Sequence, residues 1–294
     1  MKKTLISLLL ALPLLCGCGS EVKTPDYYIV GYFPSYNANA NADNCWWDIT
    51  HVNLSFVKIN ADGSINDGNV RRSYPQVAAK AKEHNVKMMV SLGGGGPKEE
   101  QDAFAAAVLD DTARENIIKN VMGLVNELGL DGVDIDYEAW NYPKEQVAQL
   151  VPALEKLFTG FRKALGKKGL LSSAVAIYGL DKGGYTKATM ESMDYMTIMA
   201  YDLTGWSSVM GPHSPFSYAV EGCEKALANG AKPAGLNPLQ QSAADTNANV
   251  TAIAGAVQDL LTAEARGDLF ANIQNVVTGK MTAEEAIASA LALN

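Results

Sequence analysis

An α/β fold built on a parallel sheet is what this sequence predicts, and three observations carry it. Six short β-branched and aromatic runs recur between residues 27 and 201. The longer segments between them place apolar side chains three and four residues apart, so each can lay one apolar stripe on a sheet. The glycine-rich stretch after the third run lacks the spacing of a nucleotide loop.

The six predicted strands are "YYIVGYF" (27–33), "HVNLSFV" (51–57), "VKMMVSL" (86–92), "GVDIDYE" (132–138), "LLSSAVAI" (170–177) and "DYMTIMAY" (194–201). Helices are expected where Ile117, Ile118, Val121, Leu124, Val125 and Leu128 recur, and again at Leu154, Leu157, Phe158, Phe161 and Leu165. Such alternation fits a (β/α)8 barrel, with two units outstanding, or an open doubly wound sheet. The second needs a phosphate-binding fingerprint. "SLGGGGP" (91–97) has no G-x-G-x-x-G spacing and no acid about 20 residues on to hold a ribose, which favours the barrel.

Past residue 206 the texture changes. "ALANGAKPAGLNPLQQSAADTNANV" (226–250) is rich in Ala, Asn and Gln, and no β-branched run follows it. "VTAIAGAVQDLLTAEA" (250–265), "DLFANIQNVVTG" (268–279) and "TAEEAIASALAL" (282–293) read as three helices, with Thr282 and Glu285 spaced as a capping box. The predicted organisation is therefore an incomplete TIM-type barrel with six visible strands over residues 26–225, a linker over 226–249 and a helical C-terminal segment over 250–294.

The first residues, "MKKTLISLLLALPLLCGCGSE" (1–21), combine two lysines, an apolar run too short to span a bilayer and a small-residue ending, the pattern of a secretory signal. "LCGC" (15–18) also resembles a bacterial lipobox. Residues 1–17 are then a signal peptide, 18–25 a linker, and Cys18 the lipidated N-terminus of an exported outer-membrane lipoprotein, held to the membrane through lipid alone. A plain cleaved signal is the alternative. Of the remaining cysteines, Cys45 and Cys223 form one disulfide or stay as two buried thiols; neither has metal-ligand spacing, and His51, His84 and His213 lie scattered, so no metal is expected. A formal net charge of −8, from 24 basic and 32 acidic residues, leaves no basic footprint for nucleic acid.

The chemistry gathers in "DGVDIDYE" (131–138). On an extended strand, Asp134, Asp136 and Glu138 share one face while Val133, Ile135 and Tyr137 share the other. Successive acids then sit about 6.6 Å apart along the backbone. Crowded, partly buried carboxylates cannot all ionise, so at least one has a raised pKa, as a general acid near neutral pH requires. A calcium loop would need polar interleaving and a glycine after the acids, whereas Gly132 precedes them.

Here the segment resembles a known signature, the D-G-x-D-x-D-x-E of glycoside hydrolase family 18 chitinases and endo-β-N-acetylglucosaminidases, carried on the fourth barrel strand. "SLGG" (91–94) is similar to the family's S-x-G-G on the third strand, and "MAYD" (199–202) to its M-x-Y-D on the sixth; "GYFPSY" (31–36) and "THVNLSF" (50–56) are similar to its first two strands. The resemblance implies hydrolysis of β-1,4 linkages between N-acetylglucosamine residues, in chitin or the chitobiose core of N-glycans, with no cofactor. It implies Glu138 as acid and base, Asp136 as partner of the substrate's own 2-acetamido group, and Asp134 as the group that biases Asp136. Tyr201 would bond the acetamido group, and Met199 and Asp202 line the sugar site. Gly93 and Gly94 would let sugar approach the backbone. This substrate-assisted route needs no enzymic nucleophile. Asp131 and Gly132 shape the start of the strand.

Tyr32 and Trp140 are the expected stacking surfaces for sugar, because both lie where a barrel opens toward substrate. Trp46 and Trp47 are expected to pack a helix on the sheet. The resemblance covers residues 27 to 216 and then stops: no tryptophan follows Trp206 to floor a sugar subsite, and the last 45 or so residues weakly resemble the end of sugar-transporter solute-binding proteins. A catalytically weak or inactive oligosaccharide-binding lipoprotein, and an unrelated solute-binding lipoprotein, are the alternatives.

Overall fold

The computed structural model describes residues 28–43, 46, 49–204 and 211–231, with positions 272, 280–282, 285, 288, 289 and 292 beyond them. Its centre is a curled, mainly parallel sheet of strands β1 (Val30–Pro34), β2 (His51–Ile59), β4 (Lys87–Gly93), β5 (Gly132–Asp136), β6 (Leu170–Ala176) and β7 (Tyr195–Met199), hydrogen-bonded in that order. A two-residue strand β3 (Ile65–Asn66), absent from the expectations, pairs antiparallel with β2. The six expected strands are all present as an incomplete barrel. Among the described residues none pairs with the outer edge of β7.

Alternation along each strand sorts the two faces. Val90, Leu92, Val133, Ile135, Leu171 and Val175 are fully buried under the helices. The opposite face, lining the inside of the curl, carries Ser91, Asp134, Asp136 and Ser172. Helices α1 (Gly68–His84), α2 (Lys98–Leu109), α3 (Asp111–Leu128) and α4 (Lys144–Leu165) form the outer layer. In α3, Ile117, Val121, Leu124 and Val125 are buried, and in α4, Leu154, Leu157, Phe158 and Phe161, so both expected stripes face the sheet. Each large side chain removed from water contributes about 1.5–3 kcal/mol. Asp110 caps α3 by accepting from Ala113 N–H at 2.8 Å, and Gly129, at φ 63°, ends it in the left-handed conformation.

Residues just before the strands clamp their neighbours. Thr50 Oγ1 accepts from Ile29 N–H at 2.8 Å, Asp131 Oδ2 from Met88 N–H at 2.8 Å, and Asp194 Oδ2 from Leu171 N–H at 2.8 Å. Each bond satisfies a backbone donor at the N-terminal end of the strands, on the side where the ladder to the neighbouring strand has not yet begun. Gly132, the first residue of β5, is required by crowding: a Cβ there would stand 2.1 Å from Leu170 O.

Short helices α5 (Ile177–Asp181) and α6 (Lys187–Ser192) and the longer α7 (Phe216–Ala228) complete the described fold. α7 runs through the domain boundary expected at residue 225. Cys223 on it is an exposed free thiol rather than a buried one. Thr282 and Glu285 do form the reciprocal capping box, with Glu285 Oε2 2.8 Å from Thr282 N and Thr282 Oγ1 3.2 Å from Glu285 N. The signal, Cys18, Cys45, Trp47, Trp206 and most of the expected C-terminal helices lie outside the described residues.

Candidate active site

Asp134 sits at the bottom of the site, fully buried in the middle of β5. The register places Ser91 of β4 and Ser172 of β6 directly beside it. Ser91 Oγ donates to Oδ2 at 2.7 Å and Ser172 Oγ to Oδ1 at 2.6 Å. Tyr32 reaches across the inside of the curl from β1 and donates a third hydrogen bond, to Oδ2, at 3.1 Å. Burial pushes the Asp134 carboxyl up, and the Ser172, Ser91 and Tyr32 hydroxyls pull it back toward the ionised form.

Two residues on, Asp136 has almost no exposure, and its Oδ1 has no partner. Burial first, then the charges of Glu138 and Asp134, push its carboxyl up to about 8. β5 ends at Asp136, earlier than expected, so Glu138 stands on the segment leaving the sheet at its open end. Glu138 is only part-buried. Burial raises its pKa, while the Gly95 N–H and the Lys58 ammonium favour its ionised form.

The glycines after β4 shape the wall opposite these acids. Gly93 and Gly94 take φ values of 92° and 74°, in the region that favours glycine. A Cβ on Gly93 would lie 2.4 Å from Asp136 O, and one on Gly94 2.5 Å from the Phe56 ring. The loop is therefore held against β5 from one side and Phe56 from the other. Gly94 N–H donates to Asp136 O at 2.9 Å, fixing that approach.

At the end of β7, Met199 is half-buried, and Tyr201 and Asp202 stand past the strand rather than on it. Tyr201 is 48% exposed, yet its hydroxyl feels the charges of Asp136 and Glu138. Asp202 adopts a φ of 58° and pairs with His213 Nε2 at 3.3 Å.

Two expected sugar surfaces are placed differently. Trp140 is wholly buried, not a platform: its Nε1 donates to Tyr137 O at 2.9 Å, and its ring packs on Tyr137 and Tyr185. A Cβ on Gly179 or Gly184 would fall within 2.7 Å of it, so no face of the indole is left free. Tyr32 lies inside the curl, with its phenol committed to Asp134 and, at 3.0 Å, to Thr197. Trp46 is buried as expected, its Nε1 donating to Ala42 O.

Several residues at this mouth escaped the sequence reading. Tyr36, 62% exposed, stacks parallel to Phe56 with ring centroids 6.1 Å apart, an open aromatic surface beside Gly94. Lys58 donates to Gly93 O at 2.7 Å, and Tyr178 OH to Glu138 O at 3.0 Å. Ser172 could have been found from parity alone, since it sits on the inward face of the strand after the acids. Nothing local signalled Lys58 or Tyr36.

The profile of Glycosyl hydrolases family 18 matches residues 28–260, most of the chain. The chain belongs to this family. Among the family's relatives, it is 28% identical over 272 residues to Chitinase 1 of Aphanocladium album, covering 76% of this chain and 62% of that one. Chitinase B of Serratia marcescens is 28% identical over 184 residues, 55% of this chain and 36% of its own. The crystal structure of a chitinase from Bacteroides thetaiotaomicron superposes with a TM-score of 0.59 at 26% identity, over 69% of this chain and 63% of that one. This family 18 chain thus spans less than two thirds of the length of the relatives it matches.

Proposed function

We propose that this protein hydrolyses β-1,4 linkages between N-acetylglucosamine residues, in chitin, chito-oligosaccharides or the N-glycan chitobiose core, by a retaining, substrate-assisted reaction. The observation that carries the reading is the buried, unpartnered Oδ1 of Asp136, set between the three-donor clamp on Asp134 and the part-buried Glu138. Its family membership supports the same chemistry.

Glu138 gives its proton to the glycosidic oxygen as the C1–O bond breaks, and the substrate's acetamido oxygen bonds to C1. Asp136 accepts the acetamido N–H and offsets the positive charge of the resulting oxazolinium. Asp136 releases its proton to solvent as the substrate seats; because burial and the neighbouring carboxylates hold that carboxyl up at about 8, the anion is costly until the oxazolinium charge develops, so the stabilisation is larger in the transition state than in the ground state. Water then attacks C1, returning a proton to Glu138 and reopening the acetamido group. Asp134 holds Asp136 in the required field, Tyr201 bonds the acetamido oxygen, and Met199 and Asp202 border the sugar. Tyr36 and Phe56 offer the aromatic surface expected of Trp140.

Glu138 acts while protonated, and burial raises its pKa; kcat/KM therefore falls as pH rises through that raised value. The deciding experiment is hydrolysis of a fluorogenic chitotriose substrate by the mature protein beside Glu138→Gln, whose turnover is expected to fall about 100-fold or more. Equal release by both proteins would remove Glu138 from the role of acid.

A second reading, an oligosaccharide-binding protein with little turnover, is favoured by one observation: among the described residues the sheet ends at β7 with its outer edge unpaired. Binding of chitotriose without release of fluorophore by the wild type would select it. In either case we propose an exported outer-membrane lipoprotein anchored through Cys18, a reading supported by the apolar leader and the "LCGC" ending at residues 15–18; retention of a globomycin-sensitive, lipid-labelled form that disappears in Cys18→Ala tests this.

A further inference from the structure

One small cleft at the mouth of the curl is lined by Lys58, Gly94, Glu100, Phe104, Asp136 and Glu138. Lys58 comes from β2, the glycine from the loop after β4, Glu100 and Phe104 from α2, and the acids from β5 and its exit. The cation in this cleft is not loose. Its Nζ donates to Gly93 O at 2.7 Å and to Gly95 O at 3.4 Å, and it pairs with Glu100 Oε2 at 3.1 Å. The Phe56 ring lies beneath it, 5.3 Å to the centroid. Carbonyl oxygens on both sides of Gly94 are thus tied to one ammonium.

The same loop touches the acid. A Cβ on Gly95 would lie 3.3 Å from Glu138 Oε1, and the Gly95 backbone favours the ionised form of that carboxyl. We propose that Lys58 is a positioning residue for the acid, its ammonium fixing the glycine loop that lies against Glu138 and placing one positive charge, tempered by Glu100, beside Asp136 and Glu138. The inference rests on the reading of Glu138 as the proton donor.

The charged and titratable groups that face Glu138 come from several elements. Asp136 faces it from β5, Asp202 and Tyr201 from beyond β7, Tyr178 from α5, and Lys58 from β2. The carboxylates oppose its ionisation. Among the described residues, Lys58 is the cation whose charge acts on both Asp136 and Glu138, and its partner Glu100 weakens that charge without being bonded to either acid. Lys58 therefore keeps the buried acids from holding their protons too tightly to release them. Removing Lys58 and removing Glu100 should act on Glu138 in opposite directions, whereas a loop tether alone predicts no such opposition.

The test is the apparent titration midpoint of Glu138, read from the carboxyl carbon signal of the 13C-glutamate-labelled full chain and assigned by its loss in Glu138→Gln. Lys58→Met is expected to raise the midpoint by about half a pH unit or more, Glu100→Gln to lower it, and Lys58→Arg to leave it within about 0.2 units of the wild type. Where Lys58→Met does not fold, Glu100→Gln decides alone, and only a downward shift upholds the proposal. Shifts in the same direction, or none, overturn it. The titration needs no turnover: opposite shifts in a protein that hydrolyses nothing would sink the hydrolase reading and leave the electrostatic role of Lys58 standing.

Discussion

Tyr32 on β1 and Asp134 on β5 share a hydrogen bond of 3.1 Å although 102 residues separate them in the chain. The same phenol is 3.0 Å from Thr197 Oγ1 on β7. One side chain therefore joins the first strand, the middle strand and the last described strand across the inside of the curl. Tyr32→Phe leaves Asp134 with its two serine donors and removes the tie to β7. The unfolding free energy should fall by about 1 kcal/mol in urea titration. If Tyr32 acts on the acids, kcat should drop while KM for chitotriose stays near its wild-type value.

Asp136 makes stability depend on pH in a defined direction. Its carboxyl rises from an ordinary 3.8 to about 8 in the fold, so between those values the folded chain keeps a proton that the unfolded chain has released. Its contribution to stability is complete below the lower value and is lost as pH climbs toward the upper one. Asp136→Asn carries no such loss. Urea unfolding at several pH values should show the variant gaining on the wild type from about pH 4 to 8, with the two running parallel below that window. Parallel curves throughout would mean the carboxyl is not held neutral by burial.

Trp140 and Tyr36 should separate cleanly. Trp140 is fully buried between Tyr137 and Tyr185, so Trp140→Ala should cost about 3–5 kcal/mol of stability. Tyr36 is largely exposed on its stacked partner Phe56. Tyr36→Ala should leave the thermal midpoint nearly unchanged and weaken oligosaccharide binding by about 1 kcal/mol. Calorimetric binding alongside thermal unfolding reads both effects; a Trp140→Phe variant with native stability and lost binding would reverse the assignment.

Gly132 and Gly123 should respond oppositely to alanine. At Gly132 the added carbon meets the Leu170 carbonyl at 2.1 Å, while at Gly123, inside α3, nothing lies within 4 Å. Gly132→Ala should destabilise by about 3 kcal/mol or more. Gly123→Ala should stabilise by about 0.5–1 kcal/mol through helix propensity. Denaturant midpoints of the two purified variants check the contrast.

Much of this site is legible in the residues alone. The period-2 alternation in "GVDIDYE" puts Asp134 and Asp136 on the inward face, because a strand's side chains alternate whatever the rest of the chain does. The apolar stripes of α3 and α4 are visible for the same reason, since helical periodicity is local. Strand ends are less visible: β5 and β7 stop at Asp136 and Met199, where the ladder loses its neighbour, and no residue type marks that point. Trp140 departs from its expected place because exposure at a barrel mouth depends on what the following loop brings back, here Gly179, Gly184 and Tyr185.

The sequence by itself determined the order of strands and helices, the direction in which the acids point, and the family to which their spacing belongs. These are carried by periods of two and about 3.6 residues and by short contiguous motifs. Tertiary structure alone decided which hydroxyls clamp Asp134, that Asp136 keeps an oxygen without a partner, and that Lys58 stands over the glycine loop. Those facts join residues 35 to 102 positions apart, and they follow from the stagger and curl of the whole sheet, which no local pattern of residues encodes.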